Sequence, residues 1–115
     1  MHYQTTKTTK IMKRKAMTEA HTLAKCFGMN KSDALRQGWK LARVTHAMRT
    51  RKYVMFEFLK TDGKTIRKAL GTLHPLFTPP VQGVRTPPPT TQVFFDVEKG
   101  EWRSFRKSNF LRILM

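Results

Sequence analysis

Residues 93–106 read Val93-Phe94-Phe95-Asp96-Val97-Glu98-Lys99-Gly100-Glu101-Trp102-Arg103-Ser104-Phe105-Arg106. Two runs rich in aromatic and branched residues flank a polar segment that contains a glycine, a pattern typical of a β-hairpin. The second run mixes aromatic residues with arginine, and we expect its aromatic side chains on one face of a strand and its arginines on the other. In a chain with a net charge of +16, this hairpin is a candidate contact for an anionic partner.

A second hairpin and a closing segment extend the predicted sheet. Residues 53–59 alternate with a period of two, Asp62-Gly63 is a turn signal, and residues 65–73 can return antiparallel. Gly71 within the returning strand indicates a bulge or a sharp bend. Residues 110–114 can close the chain as a short strand or a single turn. The second half of the chain therefore predicts five strands.

The first half of the chain has helical periodicity instead. From Lys10 to about Phe27, apolar residues recur at helical spacing, and Gly28 suits the end of that helix. Ser32 fits the N-cap of a second helix that runs from Asp33 to about Met48. The predicted buried stripe of this second helix consists of Ala34, Leu35, Gly38, Trp39, Leu41, Ala42 and Thr45.

These elements predict a domain organisation with three parts. A flexible basic arm over residues 1–9 precedes a helical hairpin over residues 10–50. A small five-stranded β-barrel follows over residues 53–115. All six prolines of the chain lie in its loop over residues 74–92, and we expect them to keep this loop extended.

The charge of the chain favours a polyanionic partner. The sequence has 23 Lys and Arg against 7 Asp and Glu, and residues 1–52 alone carry +11. A strong basic excess is the first criterion for a nucleic-acid-binding protein. An acidic protein partner and a charge without functional meaning are the alternatives.

The candidate contacts for nucleic acid lie in both halves. The helical cations have few acidic neighbours, which favours contacts to phosphates by Lys13, Arg14, Lys15, Arg36, Lys40, Arg43, Arg49, Arg51 and Lys52. The strands add two kinds of contact, cationic and stacking, through Arg67, Lys68, Trp102, Arg103 and Arg106. Trp102 is either a stacking platform for an unpaired base or a core residue of the barrel.

A DNA-binding helix-turn-helix is the weaker interpretation of the helices. Ala24 and Gly28 have the small-residue spacing of such a turn, which would place Arg36, Gln37 and Lys40 near base edges. This spacing is common by chance. A plain amphipathic hairpin packed on the sheet is therefore the interpretation that we favour.

Catalysis has little support in the sequence. The four histidines are far apart and share no metal-ligand spacing with Cys26, and no nucleophile elbow or phosphate loop occurs. We expect no enzyme, no cofactor and no metal. The single cysteine suits a reducing compartment, and neither a membrane span nor a signal peptide is evident, so we expect a cytoplasmic protein.

Residues 53–110 resemble a known but uncharacterised family. The shared spacings are Asp62-Gly63 with Gly71-Thr72-Leu73, and Asp96 with Lys99-Gly100 and Trp102-Arg103-Ser104-Phe105. The family comprises SH3-like β-barrel proteins of bacteriophages and Bacteroidetes mobile elements. The helical segments around Leu23 and Trp39 are similar to a leader found in proteins of the same elements. The resemblance implies a fold and a source, and it supplies no catalytic residues.

The sequence thus predicts an α+β protein in which a basic helical hairpin precedes a five-stranded SH3-like barrel. Its expected function is non-catalytic binding of DNA or RNA for a phage or mobile element, in the cytoplasm of a bacterial host. The alternatives are a phage factor that modulates an acidic host protein and a basic structural component packaged in the virion. The type of nucleic acid and the oligomeric state stay open.

Overall fold

A computed structural model describes residues 2–80 and 86–114 of the protein, with residues 2–7 described by their backbone alone. Two helices come first, α1 (His2–Phe27) and α2 (Lys31–Thr50). The rest of the chain forms five strands and a 3₁₀ turn: β1 (Val54–Leu59), β2 (Ile66–Thr72), β3 (Thr91–Asp96), β4 (Glu101–Arg106), the turn (Lys107–Asn109) and β5 (Phe110–Ile113). The predicted α+β architecture, with two helices before five strands, is confirmed.

Both helices begin earlier than the sequence indicated. Helix α1 begins at His2, so residues 2–9 are helical where we predicted a flexible arm; residue 1 of that arm lies outside the described residues. No residue from 2 to 27 is glycine or proline, so nothing in this segment stops the helix. The N-cap of α2 is Asn30 rather than Ser32, because the Asn30 side chain accepts a hydrogen bond of 2.9 Å from the backbone N–H of Asp33.

The five strands form one antiparallel sheet in the order β4-β3-β2-β1-β5. Strand β1 lies between β2 and β5, and its register against β2 runs without interruption from Val54↔Gly71 to Leu59↔Ile66. The predicted bulge at Gly71 is therefore absent from this pair. A register shift occurs instead between β1 and β5, at Glu57 and Phe58.

The close approach of two rings is a reason for glycine at position 71. A Cβ atom at this position would lie 2.7 Å from the Phe94 ring and 2.9 Å from the Phe56 ring. Both distances are shorter than side-chain packing allows, so a larger residue would push the rings apart.

The core of the sheet is a cluster of five phenylalanines, namely Phe56, Phe58, Phe94, Phe105 and Phe110. The Phe56 ring is fully buried, and its centroid lies 5.1 Å from that of Phe94 and 5.7 Å from that of Phe105. Helix α2 packs on the same cluster through Leu41, Val44 and Met48. One hydrophobic core therefore joins the helices to the sheet.

Strand β4 places Trp102 and Phe105 on opposite faces, so our expectation that they share a face was wrong. The two residues are three apart, whereas side chains alternate with a period of two. Phe105 is 4% exposed within the phenylalanine cluster, and Trp102 is 37% exposed on the other side. The arginines are divided in the same way, because Arg103 shares the face of Phe105 and Arg106 that of Trp102.

The proline-rich loop is not extended along its whole length. Residues 74–78 form a turn in which the His74 carbonyl accepts hydrogen bonds from the backbone N–H of Phe77 (3.0 Å) and the hydroxyl of Thr78 (3.2 Å). The loop ends at Thr90, since β3 begins at Thr91. Residues 81–85 of the predicted extended segment lie outside the described residues.

Two buried polar contacts hold the helices on the end of the sheet. The Lys107 ammonium donates a hydrogen bond of 2.9 Å to the carboxylate of Glu19 in α1, and both residues are less than a tenth exposed. The side-chain amide of Gln37 in α2 donates to the carbonyls of Lys107 (3.0 Å) and Phe110 (2.8 Å). These long-range contacts fix the positions of α1 and α2, and nothing in the sequence pattern indicated them.

Candidate functional site

The open face of α2 carries a groove of about 330 Å³ that is lined by Arg36, Trp39, Lys40 and Arg43. Side chains at spacings of three, four and seven residues share one face of a helix. The faces of α2 that contact α1 and the sheet are covered. Gly38 lies against the α1 backbone at Ala16, and Leu41 is fully buried in the core. The groove is consequently a face of α2 that the fold leaves open.

Trp39 belongs to this groove and not to the buried stripe in which the sequence placed it. The residue is half-buried, and the guanidinium carbon of Arg43 lies 5.6 Å from the centroid of its ring. Such a cation–π contact holds the guanidinium over the ring at the surface. Sequence periodicity missed Trp39 because an aromatic at helical spacing fits a core stripe equally well. Leu35, predicted in the same stripe, is 39% exposed.

The three cations of the groove differ in their pairing. Arg36 forms an ion pair of 2.9 Å with Asp33, but both side chains are more than half exposed, so the pair contributes little and is easily exchanged. Among the described residues, neither Lys40 nor Arg43 has an acidic partner. The groove therefore keeps positive charge that is free to meet an anion.

A second group of cations lies at the end of the same helix. Arg49, Arg51 and Lys52 are all exposed. The Lys52 ammonium lies 5.6 Å from the centroid of the Phe77 ring, which comes from the turn over residues 74–78. The structure thus brings Lys52, which the sequence predicted as a contact, to an aromatic residue that the sequence did not single out.

The predicted contacts on α1 are less uniform. Lys13 and Arg14 are exposed. The Lys15 ammonium, by contrast, lies 3.3 Å from the buried Glu19 carboxylate, which Lys107 also contacts. Lys15 is therefore committed to an internal ion pair, and Lys13 and Arg14 are the better candidates for an external anion.

The arginines predicted on the strands lie in three separate places. Arg67 is opposite Phe58 and Arg103 is opposite Phe94 in their strand pairs, on the inner face that carries the phenylalanine cluster. Arg103 also lies 3.8 Å from the carboxylate of Glu101. The guanidinium carbon of Arg106 lies 5.5 Å from the ring centroid of Phe27 at the end of α1. These arginines do not extend the groove on α2.

Lys68 and Trp102 lie on the outer face of the sheet. Lys68 is opposite Glu57 in the pairing of β1 with β2, and Glu57 also forms an ion pair of 3.2 Å with Arg112. Trp102 packs edge to face on Phe95, with ring centroids 5.6 Å apart. Trp102 is thus a partly exposed aromatic residue at the surface, and it does not belong to the phenylalanine core.

The helix-turn-helix interpretation is wrong for Gln37. This residue is 8% exposed, and its amide is occupied by the two backbone carbonyls of the sheet described above. A side chain held in this way cannot read a base edge in the major groove. Helix α2 is instead the packed half of an amphipathic hairpin, as the favoured interpretation predicted.

The described residues have other features outside the groove. A pocket of about 230 Å³ lies at the end of the sheet between Lys60 and Arg106, above the Phe58 and Phe105 rings. The described residues contain no group of three His, Cys, Asp or Glu side chains placed to hold a metal ion. None of the helices described is both long and apolar enough to cross a membrane. Cys26 is an exposed free cysteine.

A comparison with known families identifies the fold. The family model WYL_2, described as an Sm-like SH3 β-barrel fold, matches residues 41–111. The match covers well over half of the chain, so the protein belongs to this family, and the predicted SH3-like barrel is confirmed. No curated protein and no solved structure matches the chain. The matched segment begins inside α2, so it includes Arg43 of the groove while Arg36, Trp39 and Lys40 precede it.

Proposed function

We propose that the protein is a non-catalytic nucleic-acid-binding module whose main contact surface is the groove on α2. The observation that carries this proposal is the convergence of Arg36, Lys40 and Arg43 around the half-buried ring of Trp39. Arginine and lysine side chains supply most protein contacts to phosphate oxygens. An aromatic ring beside them offers a flat apolar surface to a base.

The charge distribution supports a polyanion as the partner. The net charge is +16, and the first 52 residues, which include α1 and α2, hold more than two thirds of it. A field of this kind raises the rate at which a polyanion reaches the surface. The exposed Lys13 and Arg14 on α1 and the cations at the end of α2 widen the surface that phosphates can contact.

The biological setting that we propose follows from the resemblance of residues 53–110 to proteins of bacteriophages and Bacteroidetes mobile elements. In that setting the protein would act on nucleic acid in the cytoplasm of a bacterial host. Association with the virion is the alternative location. The SH3-like fold agrees with a binding role of this kind.

The test is fluorescence anisotropy of labelled duplex DNA, single-stranded DNA and RNA at increasing salt concentration. Each phosphate that the protein neutralises adds about −0.9 to the log–log salt slope on duplex DNA and about −0.7 on a single strand. The triple variant Arg36→Ala, Lys40→Ala, Arg43→Ala should therefore bind more weakly, with a slope flatter by about 2 to 3.

A matched control removes the same charge elsewhere. Lys25, Lys64 and Lys99 are exposed and lie outside the groove, so their triple Ala variant should change affinity and slope far less. Equal losses in the two triple variants would show that only the net charge matters and would remove the groove from the interface. Wild-type protein that binds none of the three probes near physiological salt would contradict the proposal and favour an acidic protein as the partner.

A further inference from the structure

The two helices leave a second opening between them, which we call the interhelical cleft. It has a volume of about 310 Å³ and is lined by Met17, Ala20, His21 and Ala24 of α1 and by Lys31, Ala34 and Leu35 of α2. In each helix these residues recur at helical spacing, so each set occupies one side of its helix. The lining residues of the cleft and those of the groove do not overlap.

The cleft combines small buried residues with exposed apolar ones. Ala20, Ala24 and Ala34 are buried or half-buried and carry only a methyl group. Met17 and Leu35, by contrast, are 54% and 39% exposed, so much of their apolar surface stays in water. A single exposed apolar residue is ordinary, whereas apolar residues that converge on one concave site mark an interaction surface. Small residues between two helices also leave room for the side-chain ridge of a third.

Positive charge surrounds the cleft. Lys31 belongs to its lining. Arg14 precedes Met17 by three residues, and it therefore shares the side of α1 that carries the cleft. Lys25 follows His21 by four residues and lies on the same side. All three cations are exposed, and in the part of the chain that the structure describes none of them has an acidic partner.

The acidic residues of the helices do not offset this charge. Residues 2–50 contain two of them, Glu19 and Asp33. The Glu19 carboxylate is buried against Lys107, and Asp33 pairs with Arg36. A second copy of the chain would bring another +16 and the same cations to the cleft, so repulsion disfavours it as the occupant. An apolar surface flanked by carboxylates complements the cleft in both respects.

We infer that the interhelical cleft binds an amphipathic helix of another protein, one whose apolar stripe is flanked by Asp and Glu. The apolar side chains of that helix pack on Met17 and Leu35, and its carboxylates face Arg14, Lys25 and Lys31. This is the helix-in-groove mode of recognition. The inference goes beyond the proposed function, because it concerns a different surface and a different class of partner. Nucleic acid gains little from an apolar cleft, since proteins contact it mainly through its phosphates and sugars.

The experiment measures the anisotropy of three labelled synthetic peptides of about 20 residues, a length that spans the helices. The first has leucine at spacings of three and four with glutamate on both sides of that stripe. The second has the same composition with its leucines dispersed, and the third has lysine in place of glutamate. Near physiological salt, we expect the first to bind at least about ten-fold more tightly than either of the others.

The peptides separate charge from shape. Equal binding of the first and second peptides would mean that charge alone attracts them. Equal binding of the first and third would mean that the cations around the cleft do not select the partner. Either result would overturn the inference, and so would a first peptide that does not bind.

Nuclear magnetic resonance of the methionine methyl groups locates the bound peptide. Met17 lines the cleft, whereas Met55 lies in β1 of the sheet. We expect the first peptide to shift the methyl resonance of Met17 and to leave that of Met55 unchanged. A bound peptide that shifts Met55 and not Met17 would place the binding site elsewhere and overturn the inference.

A double variant tests the apolar contacts without changing the charge. Met17→Gln with Leu35→Gln should weaken binding of the first peptide at least about ten-fold. Both side chains are exposed, so the fold should persist, and an unchanged circular dichroism spectrum checks this. Ile11→Gln with Val97→Gln is the matched control, because it replaces two exposed apolar residues outside the cleft and should bind as the wild type does. Equal affinities of the two double variants would overturn the inference.

A second pair of variants tests the charge. Lys25→Gln with Lys31→Gln should weaken binding of the first peptide and reduce its dependence on salt. Lys64→Gln with Lys99→Gln removes the same charge from exposed positions on the turns of the sheet and should have a smaller effect. Equal effects would show that only the net charge matters and would overturn the inference.

Two further measurements examine other occupants of the cleft. A wild-type dimer in sedimentation that dissociates in the Met17→Gln, Leu35→Gln variant would assign the cleft to a second copy and overturn the inference. Single-stranded DNA that displaces the first peptide and shifts the Met17 methyl resonance would assign the cleft to nucleic acid, with the same consequence. Peptide binding that is lost in this variant while nucleic-acid binding is unchanged would support the inference independently of the groove.

Discussion

Two groups of aromatic residues in this protein have opposite surroundings. Inside the sheet, five phenylalanines pack against one another with ring centroids about 5 to 6 Å apart, and each ring is less than a tenth exposed. At the surface, Trp39 on α2 and Phe77 in the turn over residues 74–78 each have a cation 5.6 Å from the ring centroid and keep part of their surface in solvent.

The difference shows how the same type of side chain fills the core in one place and lies beside a cation at the surface in the other. A fully buried ring contributes through the apolar area that it removes from water and through contacts on all sides. A ring at the surface removes less apolar area from water and keeps part of its own surface exposed to solvent. Charges in the protein are divided in the same way between a buried pair, Glu19 with Lys107, and exposed pairs such as Asp33 with Arg36.

The largest expected effect is a difference in the free energy of unfolding between two Phe→Ala variants. Phe56→Ala should lower the free energy of unfolding by about 3 to 5 kcal/mol, because it leaves a cavity among four other rings. Phe77→Ala should lower it by no more than about 1 kcal/mol, since this ring lies at the surface. Urea denaturation of both variants makes the comparison. Similar losses would mean that Phe77 supports the fold as much as a core ring does.

The next largest effect is a difference in stability between breaking the buried ion pair and breaking the exposed one. Glu19→Ala leaves the Lys107 ammonium buried without its carboxylate, so we expect a loss of about 3 kcal/mol in the free energy of unfolding. Asp33→Ala removes an exposed partner of Arg36 and should cost about 1 kcal/mol or less. Chemical denaturation measures both values. A small loss in Glu19→Ala would show that the helices remain on the sheet without this contact.

A smaller effect is expected from overfilling the phenylalanine cluster. Gly71→Ala places a methyl group against the Phe94 and Phe56 rings and should cost about 1 to 3 kcal/mol. Combining it with Phe94→Leu should cost less than the sum of the two single changes, because the smaller side chain makes room for the methyl group. Strict additivity in the double variant would show that the strain lies elsewhere.

The smallest effect concerns a fully exposed charge, that of Asp62 in the turn between β1 and β2. Its carboxylate accepts hydrogen bonds from the hydroxyl and the backbone N–H of Thr65 and from the backbone N–H of Lys64, and these lower the pKa of Asp62 from 3.8 to about 2. The stability that the carboxylate contributes is therefore present above about pH 4 and is lost as the pH falls through about 2.

The variant Asp62→Asn isolates this contribution. Its urea midpoint should lie below that of the wild type at neutral pH, and the difference should shrink as the pH falls from about 4 to about 2. A difference that stays constant with pH would mean that the turn is stabilised by the shape of the side chain and not by its charge.

The sequence predicted the secondary structure well where the pattern is local. The period of two in residues 53–59 and the turn at Asp62-Gly63 correspond to β1 and to the connection to β2. The helical spacing of Ala16, Leu23 and Phe27 corresponds to α1. The start of α1 was missed because a lysine- and threonine-rich segment has no apolar stripe to count, although nothing in it ends a helix.

The candidate site was predicted only in part. Arg36, Lys40 and Arg43 were identified from their charge and spacing, and the structure places all three in one groove. Trp39 was assigned to the core, and Phe77 was not considered, because its neighbour Lys52 is far from it in the sequence. The strand cations were grouped with the helical ones, whereas the fold distributes them over both faces of the sheet.

The sequence by itself determined the order of the elements, the five strands and the net charge of +16. These properties depend on residue types and on the spacing of near neighbours. Only the tertiary structure decided which face of α2 stays open. Gly38 lets α1 approach closely on one side, and Gln37 and Leu41 hold the helix on the sheet on another, so Trp39 and the cations around it remain at the surface. The physical reason is that periodicity records which residues share a face, whereas contacts between distant residues determine which face is covered.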